Sequence, residues 1–141
     1  MRVRYFALVL GILYTVAGVA GFIPPLIVPM HGEPHRMLVN SLSGLLLGVF
    51  PVNILHTLVH LGVGIWGIAA YRSFTGSIVF SKTVSVIFAV LTVMGLIPLL
   101  SSTFGLIPLW GADVMLHAAT ALVAGYFGFY VPVERPIDIN R

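Results

Sequence analysis

Ile78–Leu100 reads IVFSKTVSVIFAVLTVMGLIPLL, twenty-three residues with one charge, Lys82. A helix needs about 20 predominantly apolar residues to cross the hydrocarbon of a bilayer. This stretch has that length, and Lys82 lies close enough to its start for the side-chain stem to carry the ammonium back to the headgroups. Three other stretches qualify: 5–24, 41–71 and 111–131. The second is too long for one span and contains Gly48-Val-Phe-Pro51. Proline lacks the backbone donor and its ring clashes with the preceding turn, so a helix breaks there. The reading is a short helix or shoulder at 41–48 followed by a main span at 52–71. The expected fold is therefore all-α: a four-helix transmembrane bundle, one domain over 1–141.

Composition agrees. Hydrophobic residues make up 59% of the 141 and charged residues 8%, with a mean hydropathy of +1.08. A water-soluble domain carries roughly 25% charged residues, so lipid must solvate most of this surface. A pI near 9.7 does not point to nucleic acid here, because the seven Lys and Arg are scattered singly, as orientation in a membrane requires. The chain has no cysteine, hence no disulfide and no thiolate metal site. Met1-Arg-Val-Arg4 ahead of an apolar run has the form of a secretory signal, with Gly18-Val19-Ala20 as a weak cleavage site. The run from Tyr5 to Ile23 exceeds the roughly 7–15 residues of a cleaved apolar region, so the first helix is expected to be retained.

With four spans, Arg2, Arg4, Arg72, Lys82, Arg135 and Arg141 share one side and Arg36 stands alone on the other. Cytoplasmic loops carry the excess of Lys and Arg. Both termini, including a tail at 132–141, are therefore expected in the cytoplasm of a bacterial inner or internal membrane.

The chain also reads as a tandem duplication. Gly18-Val-Ala-Gly-Phe-Ile-Pro24 closes the first span and Thr92-Val-Met-Gly-Leu-Ile-Pro98 the third. Leu55-His56 aligns with Leu116-His117, and each pair precedes two glycines at the same distances, Gly64 and Gly67 in one case, Gly125 and Gly128 in the other. Repeat one is 5–71 and repeat two 78–131. Each is a two-helix hairpin, so the copies cross in the same direction and relate by a pseudo-twofold axis along the membrane normal. That axis would place His56 and His117 at equal depth, facing one another.

Ionisable groups within a span are costly and point into the bundle. His56 and His60 lie four apart on one helical face, as do Asp113 and His117, and Asn53, three before His56, can cap the helix that Pro51 resets. All five fall in the outer third on the non-cytoplasmic side. Loop one adds His31-Gly-Glu-Pro-His35, whose Gly32 and Pro34 make it a loop rather than the helix of a zinc hydrolase. Four roles fit such a constellation. The groups can hydrogen-bond one another as interhelical glue. His56, His60, Asp113 and His117 can ligate zinc, iron or copper. His56 and His117 can be axial ligands of a b-type haem or hold a chlorophyll-type pigment, although Ala121 stands where the second repeat would match His60. The imidazoles can relay protons or sense pH. Trp66, Trp110 and Tyr130 fall where interfacial aromatic belts fall.

Phe50-Pro-Val-Asn-Ile-Leu-His56-x-x-x-His60 and Ala112-Asp-Val-Met-Leu-His117 together resemble a family of small four-helix bacterial membrane proteins of unknown function, common in actinobacteria and cyanobacteria. The resemblance covers nearly the whole chain and implies that Asn53, His56, His60, Asp113 and His117 are signature positions. The family pattern has Asn where this chain has Thr57 and Ala112. It implies no activity.

No Ser-His-Asp order, Walker loop or dinucleotide fingerprint is present. The size and short loops lead to the expectation of a non-catalytic accessory subunit of a larger membrane complex, photosynthetic or respiratory, or of a homo-oligomer in lipid. The alternative is a haem- or metal-binding protein of electron transfer, redox chemistry or metal handling.

Overall fold

A computed structural model describes residues 2–30 and 37–130. Four helices run up and down: α1 (Arg2–Ala20), α2 (Ile54–Ala70), α3 (Phe74–Leu96) and α4 (Ala112–Gly125), the last continued by a π-helical turn, Tyr126–Tyr130. Three of these, Arg2–Ala20, Phe74–Leu96 and Ala112–Tyr130, are long and apolar enough to cross a membrane. α2 is shorter at 17 residues, about 25 Å of helix at 1.5 Å per residue. Large apolar side chains face outward along the helices, among them Leu13, Val16, Val90, Val93 and Leu122. A surface of this kind is stable against lipid and not against water. The molecule is a mostly helical integral membrane protein.

Several boundaries differ from those the sequence suggests. α1 stops at Ala20, and Pro24 opens a 3-10 turn, Pro24–Leu26. α3 begins at Phe74 rather than 78, because the Ser73 side chain accepts from the Gly76 amide and caps it. It ends at Leu96, with Ile97 already extended ahead of Pro98, as a residue before proline favours. The larger correction concerns 41–48, which forms no helix. Ile27–Val28 (β1), Gly44–Leu46 (β2) and Phe50–Val52 (β3) make an antiparallel sheet in the order β1-β2-β3, so the fold is not purely all-α. Gly48, at φ 73°, turns the β2–β3 hairpin in a conformation that glycine adopts freely. Pro51 sits in an edge strand, where a missing donor is tolerated. Apolar content alone does not separate such a hairpin from a short helix. His31, Glu33, His35, Arg36 and the tail with Arg135 and Arg141 lie outside the described residues.

Within each hairpin the helices touch through glycine. A Cβ on Gly11 would come within 2.6 Å of the Ile68 amide nitrogen, and one on Gly67 within 2.8 Å of the Ala7 carbonyl oxygen. In the second hairpin a Cβ on Gly128 would lie 2.8 Å from the Lys82 amide nitrogen. Small residues let backbones meet where no hydrophobic force drives helices together. Hydroxyls add hydrogen bonds: Ser77 donates to the Ala70 carbonyl and Ser85 to that of Ala121. Ala7, Tyr14, Phe80, Val84, Phe88 and Ala124 fill the centre. α1 packs on α2 and α3 on α4, while α1 meets α4 and its π-helical continuation through side chains, Tyr14 with Thr120 and Phe6 with Phe127.

Candidate metal centre

The buried histidines, the buried aspartate and Asn53 gather at one end of the bundle, where α2 and α4 begin. Asn53 builds this end. Its Oδ1 accepts from the His56 amide at 3.0 Å and so caps α2. Its Nδ2 donates to the Val39 carbonyl at 3.0 Å and the Leu106 carbonyl at 2.7 Å. One fully buried amide therefore ties the first turn of α2 to both overlying loops. α4 begins at Gly111, whose φ of 65° and ψ of −137° only glycine adopts readily, and this places Asp113 in the first helical turn. Leu42, Leu47, Thr103 and Phe104 also carry positive φ, so unusual backbone is concentrated in the loops over the cluster.

His56, His60, Asp113 and His117 come together here, each buried, with one ligand atom from each lying within 4.8 Å of all the others. Asp113 stands between the two helices. Its Oδ1 is 3.8 Å from His56 Nε2 and its Oδ2 is 3.5 Å from His117 Nε2. The His56 and His60 ring centroids are 4.3 Å apart, and those of His56 and His117 are 6.0 Å apart. Phe88 presses edge-on to His117 at 4.9 Å, and Tyr14 to His60 at 5.1 Å, so packing fixes both rings.

The separations carry the chemistry. A nitrogen and an oxygen 3.5–3.8 Å apart are beyond an ordinary hydrogen bond. Two ligands on one tetrahedral zinc-sized ion, each about 2.0–2.2 Å from it, stand about 3.3–3.6 Å apart. Neither Asp113 oxygen has a hydrogen-bond partner among the described residues, and His60 Nε2 and His117 Nδ1 have none either. Buried polar atoms are nearly always satisfied, so orphaned atoms on residues whose ligand atoms gather within 4.8 Å fit a cation. The beginnings of α2 and α4 both direct the positive ends of their dipoles here. A bare cation is disfavoured at such a place and a carboxylate favoured, which makes Asp113 the group that lets a cation stay.

The five residues singled out from the sequence are thus adjacent: four in the cluster and Asn53 beneath the loops that cover it. Tyr14 and Phe88 were not singled out, and Thr57 only as a departure from the family pattern. Tyr14 donates to or accepts from Thr120 at 2.9 Å across the α1–α4 seam. Its hydroxyl in mid-span was the available clue. Thr57, fully buried, lies where a Cβ on Gly21 would collide with it, so that glycine makes room for the side chain that replaces the family's Asn.

Fold and cluster define an integral membrane protein of apolar helices with a buried histidine–aspartate cluster. The chain belongs to the family described as Domain of unknown function (DUF4383), which matches residues 4–130. No curated protein and no solved structure matches it. The family expected from the two polar motifs is of this kind, a small membrane protein family without an assigned role.

Proposed function

We propose that this chain binds a divalent transition metal within the membrane, through His56, His60, Asp113 and His117. The observation that carries the reading is the convergence of four buried donors within 4.8 Å, several of them with no hydrogen-bond partner among the described residues. Three imidazoles and one carboxylate suit zinc, iron or copper rather than magnesium or calcium, which prefer oxygen. Haem is disfavoured by the same geometry. The Asp113 carboxylate occupies the space between His56 and His117 in which a macrocycle would have to lie.

The duplication suggested by the sequence is supported by equivalent glycine contacts. Gly67 abuts Ala7, and Gly128 abuts Ser81 and Lys82, so residue 67 stands to 7 as 128 stands to 81. The offsets are the same 61 and 74 that align the repeats. In the proposed orientation the termini are cytoplasmic and the metal lies toward the opposite face. Arg4, bonded to the Tyr71 carbonyl, and Lys82, over the Phe129 ring, mark the end away from the cluster. The accessory-subunit expectation rests on size alone, whereas the metal reading rests on a built site.

Elemental analysis of protein purified in mild detergent tests this. About one transition-metal ion per chain is expected, falling at least tenfold in His117→Ala and Asp113→Ala. Less than a tenth of an equivalent after growth with added zinc, iron, copper and manganese would sink it.

A further inference from the structure

The three-stranded sheet and the segments around it lack the composition of a water-facing structure. Residues 21–30 and 37–53 contain no charged side chain, where a hydrated stretch of that length would carry about seven. Phe22, Ile23, Val28, Leu47 and Val49 are all exposed there. At the tip of the β2–β3 hairpin, Leu47 is 64% exposed and holds a φ of 54°. That left-handed conformation favours Asn, Asp or Gly and penalises a bulky residue. In water, Asn at this position would suit both the backbone and the solvent. Leucine suits neither, so the tip is built for apolar surroundings.

We infer that the β2–β3 hairpin and the adjoining β1 are seated in the headgroup–acyl boundary of the leaflet at the cluster end, with Leu47 and Val49 reaching the acyl chains. The apolar surface is continuous with the one that already faces lipid. From Val19 at the end of α1 through Phe22 and Ile23 to Val28 there is no polar residue. α2, which the hairpin leads into, has 17 residues, about 25 Å of helix against roughly 30 Å of hydrocarbon. The hairpin supplies apolar surface where α2 falls short. Asn53, which caps α2, is fully buried in protein, as suits a helix start that does not reach water. Open sheet edges are not found deep in hydrocarbon, which sets the sheet at the boundary and no deeper. The backbone is prepared for a dry setting. The Leu47, Gly48 and Val49 amides donate to the Leu26, Leu45 and Leu46 carbonyls at 2.8–3.1 Å. Pro24, Pro25 and Pro29 flank the edge strand β1, and Pro51 lies in the other edge strand, β3. Proline removes amide donors from both edges and hinders pairing with a strand of another protein, which favours lipid over a protein as the occupant. The inference stands apart from the metal reading.

Nitroxide labels on Leu47→Cys and Val49→Cys, in the full chain reconstituted into phosphatidylcholine vesicles, test the inference. Leu38→Cys, two residues after Arg36, is the water-side reference. Collision with oxygen relative to water-soluble chromium oxalate is expected to be at least threefold higher at Leu47 and Val49 than at Leu38. Chromium oxalate collisions equal to those at Leu38 would place the hairpin in water and overturn the inference. Low collision rates with both probes at both sites would mean that protein covers the tip, and would overturn it too. Leu47→Asn separates lipid from water without a label. Its unfolding midpoint in nanodiscs should be lowered, and a midpoint unchanged or raised by relief of the left-handed backbone would count against lipid at the tip.

Discussion

At the scale of single residues, charge balance decides the site. Asp113 is the only carboxylate among the four cluster residues, and it lies in the first turn of α4. Asp113→Asn keeps the shape and removes the charge, so a cation would meet two positive helix ends unopposed. Metal content is expected to fall at least tenfold while the helical circular-dichroism spectrum is unchanged; retention of metal would show that the charge is dispensable. Asn53 acts differently, since it touches backbone alone. Asn53→Ala removes a helix cap and leaves the Val39 and Leu106 carbonyls without their buried donor, a loss of about 2–4 kcal/mol. Thermal unfolding in detergent should show a clearly lowered midpoint, and metal affinity should fall only through loosening of the α2 start. The sequence already pointed to these side chains, because ionisable groups in a span are few and costly. It could not show that Asp113 stands between His56 and His117, since that depends on how α2 and α4 are set against each other.

At the scale of elements, glycine has two distinct uses in one helix. Gly67 of α2 meets the backbone of α1, whereas Gly62 faces open space. Gly67→Leu should separate the hairpin, at a cost of about 1–3 kcal/mol or more for overpacking. Gly62→Ala should be neutral or stabilising by up to about 1 kcal/mol through helix propensity. Unfolding curves of the two variants in one detergent would distinguish them, and equal midpoints would refute the close packing of α1 on α2. The helices themselves were legible from uninterrupted apolar length. The sheet was not. Ser41 to Gly48 is as apolar as a helix end, and its strand character comes from pairing with Ile27–Val28 and Phe50–Val52, partners that only the fold brings together. Pro51 was read as a break between a helix at 41–48 and the main span; it precedes α2 but interrupts no helix, and its place in an edge strand depends on that same pairing.

At the scale of the whole molecule, the basic end and the polar cluster lie at opposite ends of the bundle. Arg4, Arg72 and Lys82 mark one, and His56, Asp113 and the sheet the other. The absence of cysteine from the sequence makes labelling of introduced cysteines unambiguous. In intact cells a membrane-impermeant maleimide should label Leu38→Cys, on the loop over the cluster, and spare Thr75→Cys, in the first turn of α3, until the membrane is opened. The reverse pattern would invert the proposed orientation and place the cluster toward the cytoplasm. Neither result bears on the three helices that are long and apolar enough to cross a membrane, which follow from length and composition.

Anomalous diffraction from crystals of the metal-loaded protein, recorded at the absorption edge of the element found by analysis, bears most directly on the centre. One peak is predicted among His56, His60, Asp113 and His117, about 2.0–2.2 Å from its ligand atoms. An ordered cluster with no peak, its imidazoles and carboxylate drawn into hydrogen bonds with one another, would contradict it.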